Sequence, residues 1–263
     1  MGTYLDEILA HHRAIATSDP RALDRLIAEA RQAGDRRGFR AALAACARSG
    51  QIALVAEVKR ATPSLGAIAE ADLDVGELAR TYEAGGAAAL SVLTDERFFS
   101  GSAEDLALAR RASSLPVLRK DFVVSPADVA DSVLMGADAL LLIVAALAAT
   151  ELAELLALSG ELGIDALVEV HDEAELERAL ELGSTLVGVN QRDLNTFRVD
   201  PDRAVRLGRL LPSGVVGVAE SGIRNQEDVR RLAEAGFAAV LVGEALVTAG
   251  DRRKAVAELA RCS

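Results

Sequence analysis

One phrase recurs along the chain: a stretch with helical spacing, a glycine, then an apolar run. It appears as YEAGGAAALSVL, VLMGADALLLIV, GELGIDALVEV, LELGSTLVGVN and AEAGFAAVLVG, with glycines at Gly86, Gly136, Gly163, Gly183 and Gly236. A glycine suits the left-handed residue just past a helix C-terminus, because it has no Cβ to clash there. Three further apolar runs, IALVAEV, LPVLRK and SGVVGVAE, bring the total to eight. The runs end near residues 58, 93, 119, 143, 169, 189, 219 and 242, about 26 residues apart on average. That interval holds one strand, one helix and two short loops.

The runs are nearly continuous in Val, Leu, Ile and Ala, the pattern of parallel strands covered on both faces. Helical patterns fall between them. Pro126 suits a first helical position, while Thr150 and Asn225 suit N-caps. Eight strand–helix units predict the α/β class and closure into a (β/α)8 TIM barrel. An open doubly wound sheet is the alternative, weakened because no glycine-rich dinucleotide fingerprint follows the first strand. Residues 1–50 read as two or three helices added before the barrel and packed across one end of it. Residues 51–263 read as the barrel, the whole forming one domain.

The longest apolar stretch, Ala139–Ala149, is too short to span a bilayer. The segment MGTYLDEILAHHR is acidic and amphipathic, unlike a signal peptide. Cys46 and Cys262 form no spaced set, so a disulfide framework and a zinc site are not expected, and a cytoplasmic location is. The net charge is −11 and no dense Lys/Arg cluster interrupts it, which argues against a nucleic-acid partner. An anionic ligand would have to be captured by local positive groups.

In such a barrel the chemistry collects at the C-terminal ends of the strands. There the sequence places Glu57 and Lys59, Lys120, Glu169, Asn190 and Arg192, Glu220 and Ser221, and Gly243 with Glu244. A single charge at a strand end is usually a rim charge or half of an ion pair, and Glu57 with Lys59 fits that description. Many at one end would be costly to bury without a ligand, so a catalytic cavity is expected. Lysines beside carboxylates in a partly dry cavity serve as general acids or anion clamps. Of the three histidines, His11 and His12 are adjacent on a helix and face different ways, which disfavours chelation. His171 reads as an exposed loop residue, and no metal site or cofactor is expected. The stretches ESGIRN and VGEAL resemble the places where barrels hold phosphate on backbone N–H groups. Phe98, Phe99, Phe122 and Phe197 fall in predicted loops on the same side and suit a ligand with a flat apolar ring.

Together the stretches AEVKRATPSLG, SVLTDERFFSGS, PVLRKDFVVSP, GADALLLIV, LVEVHDEAE, GVNQRDLNTF, AESGI and VLVGEALV resemble the indole-3-glycerol-phosphate synthase family, in its order, across all eight strands. The resemblance implies a phosphorylated small-molecule substrate, an anthranilate ring joined to an open-chain ribulose phosphate. It implies that Lys59 binds the substrate carboxylate and also does acid work, and that Lys120 is the general acid on the ribulose carbonyl. Glu169 would be paired with that acid and transfer a proton in the dehydration. Glu57, Asn190 and Glu220 would orient the sugar hydroxyls and the lysines. Arg192 would lie near the carboxylate, Ser221, Phe99 and Phe122 in the pocket, and the phosphate on Thr62, Gly222, Gly243 and the N–H of Glu244. Thr62 departs from the serine more usual in the family, and Gln191 fills a variable position. No apolar stripe declares an interface, so a monomer is expected, open to association with other tryptophan-pathway enzymes, without metal or nucleotide and without membrane contact. Phosphoribosylanthranilate isomerase is a rival barrel, but its chemistry uses a cysteine and an aspartate at strand ends, and neither cysteine here lies at one. A non-catalytic barrel that keeps the pocket as a ligand sensor is the rival of another class.

Overall fold

The computed structural model describes residues 3–62, 66–67, 73–193 and 196–260. Eight strands form a closed, wholly parallel barrel in chain order: β1 Ala53–Val58, β2 Ala89–Leu93, β3 Val117–Lys120, β4 Ala139–Ile143, β5 Asp165–Val170, β6 Leu186–Asn190, β7 Val216–Glu220 and β8 Ala239–Val242. β8 closes the ring on β1, with Ala53 beside Ala239 and Ala56 beside Val242. The fold is thus a (β/α)8 barrel, and each expected run ends within a residue of an observed strand end. A two-residue antiparallel ribbon, Ala61–Thr62 with Gly66–Ala67, follows β1.

Three helices precede the barrel: α1 Tyr4–Ser18, α2 Leu23–Gln32 and α3 Phe39–Arg48. Between and after the strands come α4 Val75–Gly85, α5 Glu96–Phe99, α6 Ala103–Ala112, α7 Pro126–Leu134, α8 Ala149–Glu161, α9 Glu173–Glu181, α10 Pro201–Gly208, α11 Gln226–Glu234, α12 Glu244–Val247 and α13 Arg252–Ala260. The five repeat glycines all take positive φ, from 66° to 100°, as the left-handed helix ending requires. Pro126 opens α7 and Asn225 caps α11, as expected. Thr150 is not a cap. Helix α8 starts two residues earlier than that cap would set it, after Ala148, whose N–H donates to Glu151 at 2.8 Å. The carboxylate at the third helical position thus satisfies the N-cap residue's own N–H, the reciprocal half of a capping box.

Alternation along the strands separates two cores. Leu54, Ala56 and Val58 of β1 face the helices, whereas Val55 and Glu57 share the inner face. The same parity points Leu118 and Lys120, Leu167 and Glu169, Gly188 and Asn190, and Val218 and Glu220 into the barrel, as the lateral pairs Glu169 with Gly188 and Asn190 with Glu220 require.

The N-terminal helices hold both ends of the barrel rather than one. At the mouth, α1 sends His12 to Asp95 at 2.7 Å and Arg13 to Glu151 at 2.8 Å. α2 runs beside α7, tied by Arg21 to Asp131 at 2.7 Å. At the base, Phe39 and Leu43 of α3 are buried under the barrel. There the N–H of Arg37 donates to Asp138 at 2.7 Å and that of Arg40 to Asp165 at 2.8 Å. Asp138 has no exposed side-chain surface, and it also pairs with Arg110 and accepts the N–H of Val117. Removing one partner of a buried ion pair strands the other, so Asp138→Ala should lower unfolding stability by about 3–5 kcal/mol, read from the urea midpoint.

Candidate active site

Each inward side chain in the last turn of a strand reaches the same mouth. Lys120, from the end of β3, donates to Glu169 Oε2 at 2.6 Å and to Glu220 Oε2 at 2.8 Å. Asn190 Nδ2 donates to Glu169 Oε1 at 3.2 Å, and Asn190 Oδ1 accepts the N–H of Arg192 at 3.0 Å. Lys59 lies just beyond β1 and pairs with Glu57 at 2.9 Å. One cavity is lined by both lysines, by Glu57, Glu169, Asn190 and Glu220, and by Arg192, Ser221 and Gly222. Gly243, Glu244, Phe99 and Phe122 line it too. Thr62 is the remaining expected site residue, and its side chain lies outside the described residues.

Burial disfavours every charge here, and the pairs decide which survive. Burial alone would lower the pKa of Lys120, but Glu169 and then Glu220 outweigh it, and the ammonium is held well above its ordinary range. Burial would raise Glu169, yet Lys120 and then His171 keep it below the ordinary carboxylate range. Glu220 is different: burial, with the nearby charge of Glu169, prevails over Lys120 and pushes it up to about 7. The two carboxylates therefore differ in proton affinity although both hold the same lysine.

Two glycines make room for this set. A Cβ on Gly188 would collide with Glu220 Oε1, and one on Gly243 would collide with the Glu57 carboxylate and the end of Lys59. Ser221 and Gly222 follow β7 with φ of 67° and 74°. A left-handed serine is strained and is held in place here: its carbonyl accepts from Gln191 Nε2 at 2.7 Å. Gln191 thus supports the loop that lines the cavity.

The four loop phenylalanines do not act alike. Phe99, Phe122 and Phe197 line the cavity, with Phe99 and Phe122 centred 6.3 Å apart. Phe98 turns away, packing edge-on against Tyr4 and His11 of α1. His171 departs from its expected place as well. Its ring is half-buried against Glu169 and Glu175 rather than exposed, because it turns inward from the end of β5. His12, Asp95 and Asp121 bring ligand-type atoms within 4.8 Å of one another, a grouping the sequence reading did not foresee. Those atoms are engaged: His12 with Asp95, and Asp121 with Thr94 at 2.5 Å and Arg119 at 2.8 Å. The network ties α1 to the mouth.

The fold has clear relatives among solved structures. A thiamine phosphate pyrophosphorylase from Pyrococcus furiosus matches with a TM-score of 0.60 over 81% of this chain and 95% of its own, at 18% identity, a likeness of fold alone. Fold and site together define a (β/α)8 barrel whose mouth gathers paired lysines and carboxylates around one cavity. The family model described as indole-3-glycerol phosphate synthase matches residues 5–259. Proteins of that name from Mycobacteroides abscessus and Chlorobium phaeovibrioides are 49% and 47% identical, covering 98% and 95% of this chain and 94% and 96% of their own. The chain belongs to the indole-3-glycerol phosphate synthase family, whose members are carboxy-lyases of tryptophan biosynthesis.

Gly188 gives a test of the site's geometry. Gly188→Ala should displace the Glu220 carboxylate and cut turnover by about 100-fold, the cost of an ångström-scale misplacement. Circular dichroism should stay unchanged.

Proposed function

We propose that the chain closes the indole ring of 1-(2-carboxyphenylamino)-1-deoxyribulose 5-phosphate, giving indole-3-glycerol phosphate, carbon dioxide and water. The observation that carries this reading is the Lys120 ammonium, held between two buried carboxylates on the cavity that Lys59 also lines. The ring carbon bearing the carboxylate attacks the ribulose carbonyl carbon. The carbonyl π pair moves to oxygen, which takes a proton from Lys120 as charge develops. Carbon dioxide then leaves, and its bonding pair restores the aromatic ring. Finally the new hydroxyl takes a proton from Lys59 and departs as water, pushed out by the ring-nitrogen lone pair, while Glu169 takes the proton lost from carbon.

The remaining groups hold the substrate. Lys59 and Arg192 offer positive charge to the substrate carboxylate, and Phe99 and Phe122 flank its ring. Glu57, Asn190 and Glu220 orient the lysines and the sugar hydroxyls, with Ser221 beside them. The phosphate is assigned to Gly222, Gly243, the N–H of Glu244 at the first turn of α12, and Thr62. Fixing both ends of a flexible chain brings the reacting carbons together, which contributes up to roughly 7–11 kcal/mol in ideal cases.

No helix among the described residues is long and apolar enough to cross a membrane, and we place the reaction in the cytoplasm. Four large apolar side chains among the described residues are exposed: Ile15 on α1, Leu23 on α2, Leu134 on α7, and Leu210 in the turn after α10. That is little for an obligate interface. Sedimentation should therefore show a single 27.5 kDa species, and a dimer would overturn the monomer reading. Other enzymes of tryptophan synthesis are the protein partners this reading allows.

The deciding assay supplies the anthranilate–ribulose phosphate and follows indole absorbance and carbon dioxide together. Turnover is expected without added metal or nucleotide and should be insensitive to chelator. Lys120→Ala should abolish nearly all of it while leaving the circular dichroism unchanged. A near-normal rate in that variant would remove Lys120 from the acid role, and a flat trace for the unmodified protein would favour a ligand sensor.

A further inference from the structure

His171 is a titratable group that this mechanism leaves unused. It follows β5 directly, with 12% of its side chain exposed, and its Nε2 lies 3.4 Å from Glu169 Oε1. The alignment is too poor for a hydrogen bond, so Nε2 is buried without a hydrogen-bond partner. On the other side of the ring, Nδ1 meets Glu175 Oε2 at 3.1 Å, and the same oxygen accepts the His171 backbone N–H at 2.7 Å. Glu175 is itself fixed in the first turn of α9, where its N–H donates to Asp172 at 2.9 Å.

Both ring nitrogens therefore face carboxylate oxygens. A neutral imidazole has one donor and one lone pair, so one nitrogen would point its lone pair at a carboxylate. Only the doubly protonated ring suits both neighbours. We propose that His171 is a positioning residue, held as an imidazolium between Glu169 and Glu175, whose fixed charge keeps Glu169 ionised after Lys120 has given up its proton. The proposal rests on the roles assigned above to Lys120 and Glu169.

The surrounding charges show why a second cation matters. Glu169 faces Lys120 from β3, Asn190 from β6 and Glu220 from β7, with Glu57 of β1 and Lys59 just after it across the mouth. His171 faces Glu169 from β5 and Glu175 from α9. Once Lys120 is neutral, two carboxylates remain where one ammonium had held both, and a proton would settle on one of them. A cation on the far side of Glu169 directs that proton towards Glu220 and leaves Glu169 free to act as base. Burial alone would lower the pKa of His171, but Glu169 and Glu175 raise it to about 10, consistent with a charge that persists at neutral pH.

The chain has three histidines, so their ring signals can be followed individually by NMR, and the one lost in His171→Gln identifies His171. That signal should titrate well above the ordinary imidazole value of about 6.5. Glu175→Gln should bring it back towards that value. Titration of His171 near the ordinary value overturns the proposal whether or not the protein turns over the substrate, which separates this test from that of the proposed function. In the kinetic arm, His171→Gln should move the acidic limb of the kcat profile to higher pH by about one pH unit. KM should hold, since the ring is not on the cavity wall. An unmoved limb overturns the proposal. Should His171→Gln not fold, the His171 signal is identified instead as the one retained in both His11→Gln and His12→Gln, and its titration near the ordinary value of about 6.5 again overturns the proposal.

Discussion

The buried contact of one ammonium with two carboxylates constrains this molecule more than any other. Lys120, Glu169 and Glu220 come from β3, β5 and β7, and moving each ion out of water costs several kcal/mol. The cluster persists only where the charges meet at hydrogen-bond distance, which demands a closed barrel of correct register. One cation against two carboxylates still leaves an excess negative charge, and the raised pKa of Glu220, about 7, is the consequence. The same excess gives His171 and Asn190 their places on Glu169, where each offsets part of the charge.

Space for these charges is made by what is missing as much as by what is present. Gly188 and Gly243 sit on the inner wall where a methyl group would displace Glu220 or the Glu57–Lys59 pair. A glycine within a strand weakens it, so the neighbouring structure must hold the barrel instead. The N-terminal helices contribute that hold from both ends. α1 is bonded to the mouth through His12 and Arg13, and α3 seals the base through Phe39, Leu43, Asp138 and Asp165. His12 also packs against Phe122, their rings 5.5 Å apart, so the extension touches the wall of the site itself.

How much could be read from the letters depended on whether periodicity determined the direction of a side chain. In a strand, parity settles it: once Glu57 is placed inside, Lys120, Glu169, Asn190 and Glu220 follow from their positions at strand ends. Beyond the strand the rule stops. His171 lies one residue past β5, and nothing local says that it folds back on Glu169, although a glutamate four residues on was a visible partner. Phe98 and Phe99 are neighbours in α5, where consecutive residues face different directions, so one lines the cavity and the other packs on α1. Thr150 was a reasonable cap by residue type, but Glu151 accepts the N–H of Ala148 and also binds Arg13, which sets the start of the helix ahead of Thr150. Gly188 reads only as a weak point in an apolar run, since its function lies in the volume it leaves to a residue 32 positions away.

The same electrostatics bear on how a tightly held lysine could serve as an acid in the proposed reaction. An ammonium bonded to two carboxylates has a raised pKa and gives up its proton reluctantly. A group titrating near neutrality beside it changes that. When Glu220 takes a proton, one of the two charges stabilising the ammonium disappears, and the affinity of Lys120 for its own proton falls. Glu169 cannot play that part, because Lys120 and His171 hold it ionised. In the proposed mechanism this asymmetry between the two carboxylates divides the work: Glu220 adjusts the strength of the acid, while Glu169 remains available as the base for the step that follows.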